Sequence, residues 1–162
     1  LDATLIALPY DITGLEYAHV CDDELLAALP SGHPLTAGAS VPAERLDRDD
    51  LILLEDGHCL RDHALSACGL DRPRSAPDEG FAATSLATLV QMVGSGLGVS
   101  LLPAMAVDAG LAATAQVAVR PLDPDLANRE IVVAWRAGST RGDEGRLLAE
   151  VFAQAACSQA KS

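Results

Sequence analysis

Phe81–Pro103 reads FAATSLATLVQMVGSGLGVSLLP, and its pattern decides the fold class. Phe81–Thr84 is a short apolar run of strand length, and Ser85 is a residue type that caps helix N-termini. Leu86, Leu89, Val90 and Val93 then recur at i, i+3, i+4 and i+7, the spacing of one buried helix face. Gly94, Gly96 and Gly98 end that helix, and Val99–Leu102 is a second strand closed by Pro103. A dinucleotide-binding loop needs the order strand, glycines, helix, so that the pyrophosphate meets a helix N-terminus. Here the order is helix, glycines, strand, which assigns the glycines to a helix cap and a tight strand entry.

The same alternation extends outward in both directions. Ala3–Leu8, Leu15–Val20 and Glu24–Leu29 read as strands, with a bend at Asp22-Asp23. Thr36–Asp50 is polar, punctuated by Gly38 and Pro42, with room for one short helix after Val41. Leu51–Leu54 is a buried-type strand, and a helix is predicted from about Cys59 to Cys68, stopped by Gly69 as a left-handed cap. Asp71–Gly80 is a loop. Val117–Val119 and Ile131–Trp135 are the last strands, and Arg146–Ala156 is a closing amphipathic helix. Strands alternating with helices predict an α/β architecture with at least partly parallel sheets.

Composition narrows the function. The 162 residues hold 11 basic and 23 acidic side chains, a formal charge of −12. Such a balance argues against a self-sufficient nucleic-acid surface, which normally shows a basic stripe. No apolar run reaches the ~20 residues of a membrane span, and LDATLIALPYD at the start lacks the basic region of a secretion signal. With 49% hydrophobic and only 3% aromatic residues, the core has to be built from Leu, Val, Ile and Ala.

The chemistry concentrates in Gly57-His58-Cys59-Leu60-Arg61-Asp62-His63, with Cys68 nine residues beyond Cys59. Cys59 sits where a strand turns into a helix, close to His58, Arg61 and His63, surroundings that favour a thiolate. The plainer reading is a small buried residue near a surface His and Arg. A third reading, a metal site of His58, Cys59, His63 and Cys68, lacks the paired C-x-x-C knuckles of structural zinc. Cys21 and Cys157 have no His or Cys neighbour, and His19 and His33 read as surface or packing residues. Nine residues of helix span roughly 13.5 Å, whereas a disulfide wants Cα atoms within about 7 Å. A Cys59–Cys68 bond would therefore require the helix to unwind. Closing so short a loop restrains the unfolded chain by only about 2.5 kcal/mol, a weak staple but a usable switch.

LLEDGHCLRDHALSAC (Leu53–Cys68) together with FAATSLATLVQMVGSGLGVSLLPAMAV (Phe81–Val107) resembles the regulatory domains of the OxyR group, the peroxide-sensing LysR-type transcription regulators. The G-H-C-L-R-D run and the offset to Cys68 are the specific signal, and the S-L-x-T-L…L-L-P stretch is shared across the LysR class. The similarity runs from LDATLIAL at the start to the W-R-x-G-S segment at Trp135–Ser139.

The resemblance implies an α/β, type 2 periplasmic-binding-protein-like regulatory domain. Its second lobe would be nearly complete (22–128) and its first partial (1–21 and 129–162). Cys59 matches the peroxidatic cysteine and Cys68 the resolving one, giving a reversible Cys59–Cys68 disulfide. His58 matches the residue that positions and polarises the peroxide. Gly57 and Leu60 match backbone contributors to the pocket, with Arg61 and Asp62 in the same run, and Arg129 matches an arginine that favours the thiolate. The helix around Ser85–Val93 would lie near the dimer interface.

Also implied are a cytoplasmic regulator that is not an enzyme, hydrogen peroxide as its signal, and no cofactor or metal. It would form a homodimer, or a tetramer at full length, with no membrane partner. DNA contact would come through a helix-turn-helix domain without a counterpart in these residues, with RNA polymerase as a further partner and glutaredoxin or thioredoxin as reductant. Asp71–Gly80 is longer than the family's usual loop, and His63 stands where a Gln is common. Two other classes stay open: a LysR-type effector-binding domain with passive cysteines, and, more distantly, a thiol peroxidase.

Overall fold

The computed structural model describes residues 2–46, 50–55, 59–69, 82–122 and 128–159. The chain divides into two compact units, Leu1–Asp23 with Asn128–Ser162 and Glu24–Ala127. One long strand, β2 (Leu15–Pro30), contributes to both.

In the first unit, β1 (Ala3–Leu8) pairs antiparallel with β7 (Asn128–Arg136), and β7 in turn neighbours β2. Alternate residues of a strand face opposite sides of its sheet. Ala3 and Ala7 of β1 join Ile131, Val133 and Trp135 of β7 and Val20 of β2 in one apolar cluster. The closing helix α4 (Gly142–Gln159) covers that cluster with its smallest residues, Ala149 and Ala153. A Cβ at Gly145 would drive into the Trp135 indole, so the helix lies directly on the ring. Arg146 stacks its guanidinium over the same ring, 5.6 Å from the centroid.

The second unit is built around the other half of β2. It pairs antiparallel with β5 (Ser100–Pro103) through Leu25–Ala28 and with β6 (Val117–Pro121) through Leu26–Pro30. A two-stranded parallel sheet joins β3 (Leu53–Leu54) to β4 (Ala82–Ala83). A parallel bridge also links Leu51 to Val99. Leu29, Leu89, Val90, Val93, Leu101 and Leu102 form the centre of a core of aliphatic residues. α2 (Leu86–Gly94) starts at Ser85, whose hydroxyl accepts the Thr88 N–H at 3.2 Å, and buries Leu89, Val90 and Val93. α3 (Ala104–Asp108) and short 3-10 turns at Pro34–Ala37, Ala43–Arg45 and Leu111–Thr114 complete the unit. His33 caps the first of these turns, its Nδ1 accepting the Leu35 N–H at 3.3 Å.

The predicted bend at Asp22-Asp23 is corrected: Leu15–Pro30 is one continuous strand. Asp22 and Glu24 point outward, while Asp23 is buried on the same side as Leu25 and Ala27. A cation on the neighbouring strand balances the inward carboxylate, so the acidic pair does not interrupt the strand. The glycine run behaves as its order implied. Gly96 has φ +78°, and a Cβ at Gly98 would collide with the Asp50 carbonyl and with Ile52.

Candidate functional site: a helix with a thiol at each end

α1 (Cys59–Ala67) follows β3 in the second unit. Leu60, His63, Ala64 and Ala67 are buried at i, i+3, i+4 and i+7, so one stripe of the helix is fastened to the core. The stripe is mostly small, with one imidazole in it. Asp62 is exposed in the first turn, where a carboxylate favours the positive end of the helix dipole. Arg61 is half-buried and donates from Nη1 to the Leu54 carbonyl at 3.2 Å, tying the first turn back to the end of β3.

The helix stops as its last residues imply. Cys68 donates its N–H to the Ala64 carbonyl at 3.2 Å, and Gly69 donates to Ser66 at 2.9 Å. Gly69 has φ +66°, a left-handed conformation that glycine takes without steric cost.

Cys59 is the first residue of α1 and Cys68 follows its last, and both are half-buried. They are not joined. At 1.5 Å per residue their backbones lie ~13 Å apart along the axis, about twice what a disulfide spans. Cys68 packs against the aliphatic core. Burial there pushes its thiol from an ordinary 9.0 to about 11, so near neutral pH it is protonated.

Of the other expected site residues, Leu60 has its side chain in the core. Gly57 and His58 lie outside the described residues, as does the Asp71–Gly80 loop. Arg129 is on β7, in the first unit. Its Nε and Nη2 both donate to Asp23 Oδ2, at 2.9 and 2.6 Å. Asp23 is 2% exposed. Among the expected residues, then, the structure places Cys59, Leu60, Arg61 and Asp62 on one helix with Cys68 directly after it, and gives Arg129 an acidic partner. Sequence reasoning missed Asp23. No local signal marked it, because Asp22-Asp23 reads as a polar break until Arg129, far along the chain, is known to receive Asp23.

Residues 1–157 match the family model of the LysR substrate binding domain. A probable hydrogen peroxide-inducible genes activator from Mycobacterium avium is 40% identical over 159 residues, 98% of this chain and 50% of that protein. The DNA-binding transcriptional dual regulator OxyR of Escherichia coli is 35% identical over 155 residues, 94% of this chain and 49% of that protein. The chain thus spans about half the length of these curated relatives. Among solved structures, the reduced form of the OxyR2 regulatory domain from Vibrio vulnificus superposes with a TM-score of 0.80 at 36% identity, covering 95% of this chain and 71% of that one. No helix among the described residues is long and apolar enough to cross a membrane. The chain belongs to the LysR substrate-binding domain family, with its periplasmic-binding-protein-like fold, and within it to the OxyR-type regulatory domains.

Proposed function

We propose that this chain is the peroxide-responsive part of a LysR-type transcription regulator, switching through a reversible Cys59–Cys68 disulfide. The observation that carries the reading is the placement of two thiols at the two ends of one short helix that cannot hold a bond between them.

The chemistry balances as follows. The Cys59 thiolate attacks one oxygen of hydrogen peroxide, the O–O bond breaks, and with one proton a water leaves, giving a sulfenic acid. Cys68 then attacks that sulfur, a second water leaves, and the disulfide forms. Two thiols are oxidised and one peroxide is reduced to two waters. A thiol-disulfide reductant of the glutaredoxin or thioredoxin type restores the pair, so the event is a signal and not a turnover.

The raised pKa of Cys68 supports this order. While α1 is intact, its second thiol is protonated, packed and distant. Unwinding exposes it to water, which lowers its pKa and makes it a competent nucleophile. Cys59 is instead the first residue of the helix, at its N-terminal end. By the resemblance, His58 polarises the peroxide, Gly57 and Leu60 supply backbone groups, Arg61 and Asp62 shape the same turn, and Arg129 favours the thiolate. A division of the chain into lobes of residues 22–128 and 1–21 with 129–162, the cytoplasm as location and the expected partners belong to the same proposal: a second subunit, DNA through a helix-turn-helix domain, and RNA polymerase.

The test is intact mass with thiol counting before and after one equivalent of hydrogen peroxide, with peptide mapping. A loss of two hydrogens mapped to Cys59–Cys68 is the expected result. Unreacted thiols under these conditions, in this chain and in one of its relatives' full length, would return the cysteines to the passive role of an effector-binding domain.

A further inference from the structure

α1 buries an imidazole that the switch chemistry does not use. His63 is 5% exposed and lies in the inward stripe of the helix with Leu60, Ala64 and Ala67. Those three offer no polar side-chain atom, and neither do Leu53 and Leu54 of β3, the strand packed against this helix. A polar group taken out of water keeps its place at low cost only by hydrogen bonding.

Helix geometry decides what this imidazole can reach. Successive residues turn by about 100°, so His63 lies about 40° round from Cys59 and one turn further along. Residues four apart bring their Cβ atoms within about 6 Å. The Cα–Cβ bonds of a helix tilt toward its N-terminus, and long side chains lean the same way, over the preceding turn. For His63 that turn begins at Cys59. Cys59 is half-buried at the margin of the inward stripe, so its sulfur and the imidazole belong to one flank. The remaining groups of the helix point elsewhere. Asp62 is exposed, and Arg61, about 160° round from His63, donates from Nη1 to the Leu54 carbonyl. Cys68 is about 180° round from Cys59, on the opposite flank, and packs on the aliphatic core.

We infer that His63 is a positioning residue for Cys59: while α1 is helical, a ring N–H of His63 donates to the Cys59 sulfur and holds it on that flank. The inference rests on the reading of Cys59 as the thiol that meets peroxide. Attack on an O–O bond needs the sulfur in line with it, and a hydrogen bond that fixes a side-chain rotor supplies that orientation. The contact depends on helical spacing between residues 59 and 63, so it lasts only as long as the first turn does. Unwinding α1 parts His63 from Cys59 and removes the half-turn that keeps Cys68 on the opposite flank. The imidazole thus serves the first step, with peroxide, and releases the sulfur for the second, with Cys68.

Two measurements test the inference. In the reduced chain with nitrogen-labelled histidine, the His63 ring signals are expected to move on Cys59→Ala, while those of His19 and His33 stay as references. The rate at which peroxide oxidises Cys59, followed by peptide mapping, is expected to fall roughly fivefold in His63→Leu, the worth of one hydrogen bond. His63→Gln, whose amide can donate, is expected to restore most of that rate, which a purely space-filling role would not require. Thermal unfolding separates a lost fold from a lost contact, and His63→Met, flexible enough to repack, replaces the Leu variant should that one not fold. Oxidation at the parent rate in a folded Leu or Met variant overturns the inference. So does a Gln variant as slow as Leu, or a ring signal that Cys59→Ala leaves in place. A parent chain whose Cys59 does not react with peroxide strikes the sensor reading instead, and the ring signals then decide the contact alone.

Discussion

Asp23 and Arg129 stand where the chain leaves its first unit and where it returns. Asp23 ends the Leu1–Asp23 segment, and Arg129 follows Asn128, the first residue of the returning segment. One carboxylate oxygen takes two guanidinium N–H groups, and the carboxylate is almost wholly buried. The pair ties β2 to β7 and gives an acid in the interior the counter-charge it needs.

Breaking this pair from one side is costly. Asp23→Ala leaves the Arg129 cation, itself only 14% exposed, without its carboxylate, and the unfolding free energy should fall by about 3 kcal/mol. Urea denaturation measures it. An Asp23→Ala, Arg129→Ala double variant should recover part of the loss, because the second change removes the stranded charge.

Cys59→Ser should abolish the peroxide-dependent loss of two hydrogens, and Cys68→Ser should let Cys59 oxidise only as far as a sulfenic acid trappable by dimedone. Mass spectrometry distinguishes the two. A Cys59→Ser chain that still changed its tryptic pattern with peroxide would count against the switch.

Stability should depend on alkaline pH through Cys68. Its thiol is held neutral by burial, with a folded pKa of about 11 against an ordinary 9.0. The contribution is complete below pH 9, where both states are protonated, and is lost as pH rises from about 9 to 11, because the unfolded chain releases the proton first. Denaturation midpoints of the parent and Cys68→Ala should therefore converge over that interval, with a smaller alkaline loss in the variant.

Gly98→Ala should cost about 2 kcal/mol or more, the scale of overpacking against groups that cannot yield. The added carbon would meet the Asp50 carbonyl, part of the connection that leads Val99 into register beside Leu51 and Ile52. Thermal unfolding measures the loss, and the neighbouring exposed position Leu97→Ala should tolerate its change far better.

Much of this was legible in order along the chain. The apolar period of Leu86, Leu89, Val90 and Val93, the cap at Ser85 and the stop at Gly69 are local signals, and each element formed where its signal stood. The glycine-rich turn was readable for the same reason, since helix-then-strand order is a property of neighbours. The continuous β2 was not, because Asp22-Asp23 looks like a polar break unless the cation that receives Asp23 is known. That cation, Arg129, is 106 positions away.

By itself, the sequence determined the α/β class, a helix from about Cys59 to Cys68 and the spacing that puts one thiol near each of its ends. These follow from side-chain period, capping and chain geometry, all local. Only the tertiary structure decided which acid is buried and which face of α4 rests on Trp135. Helical period alone marks two apolar lines on α4, one small and one large. Which of them goes inside depends on the space above a single indole ring, and that space is made by residues distant in the chain.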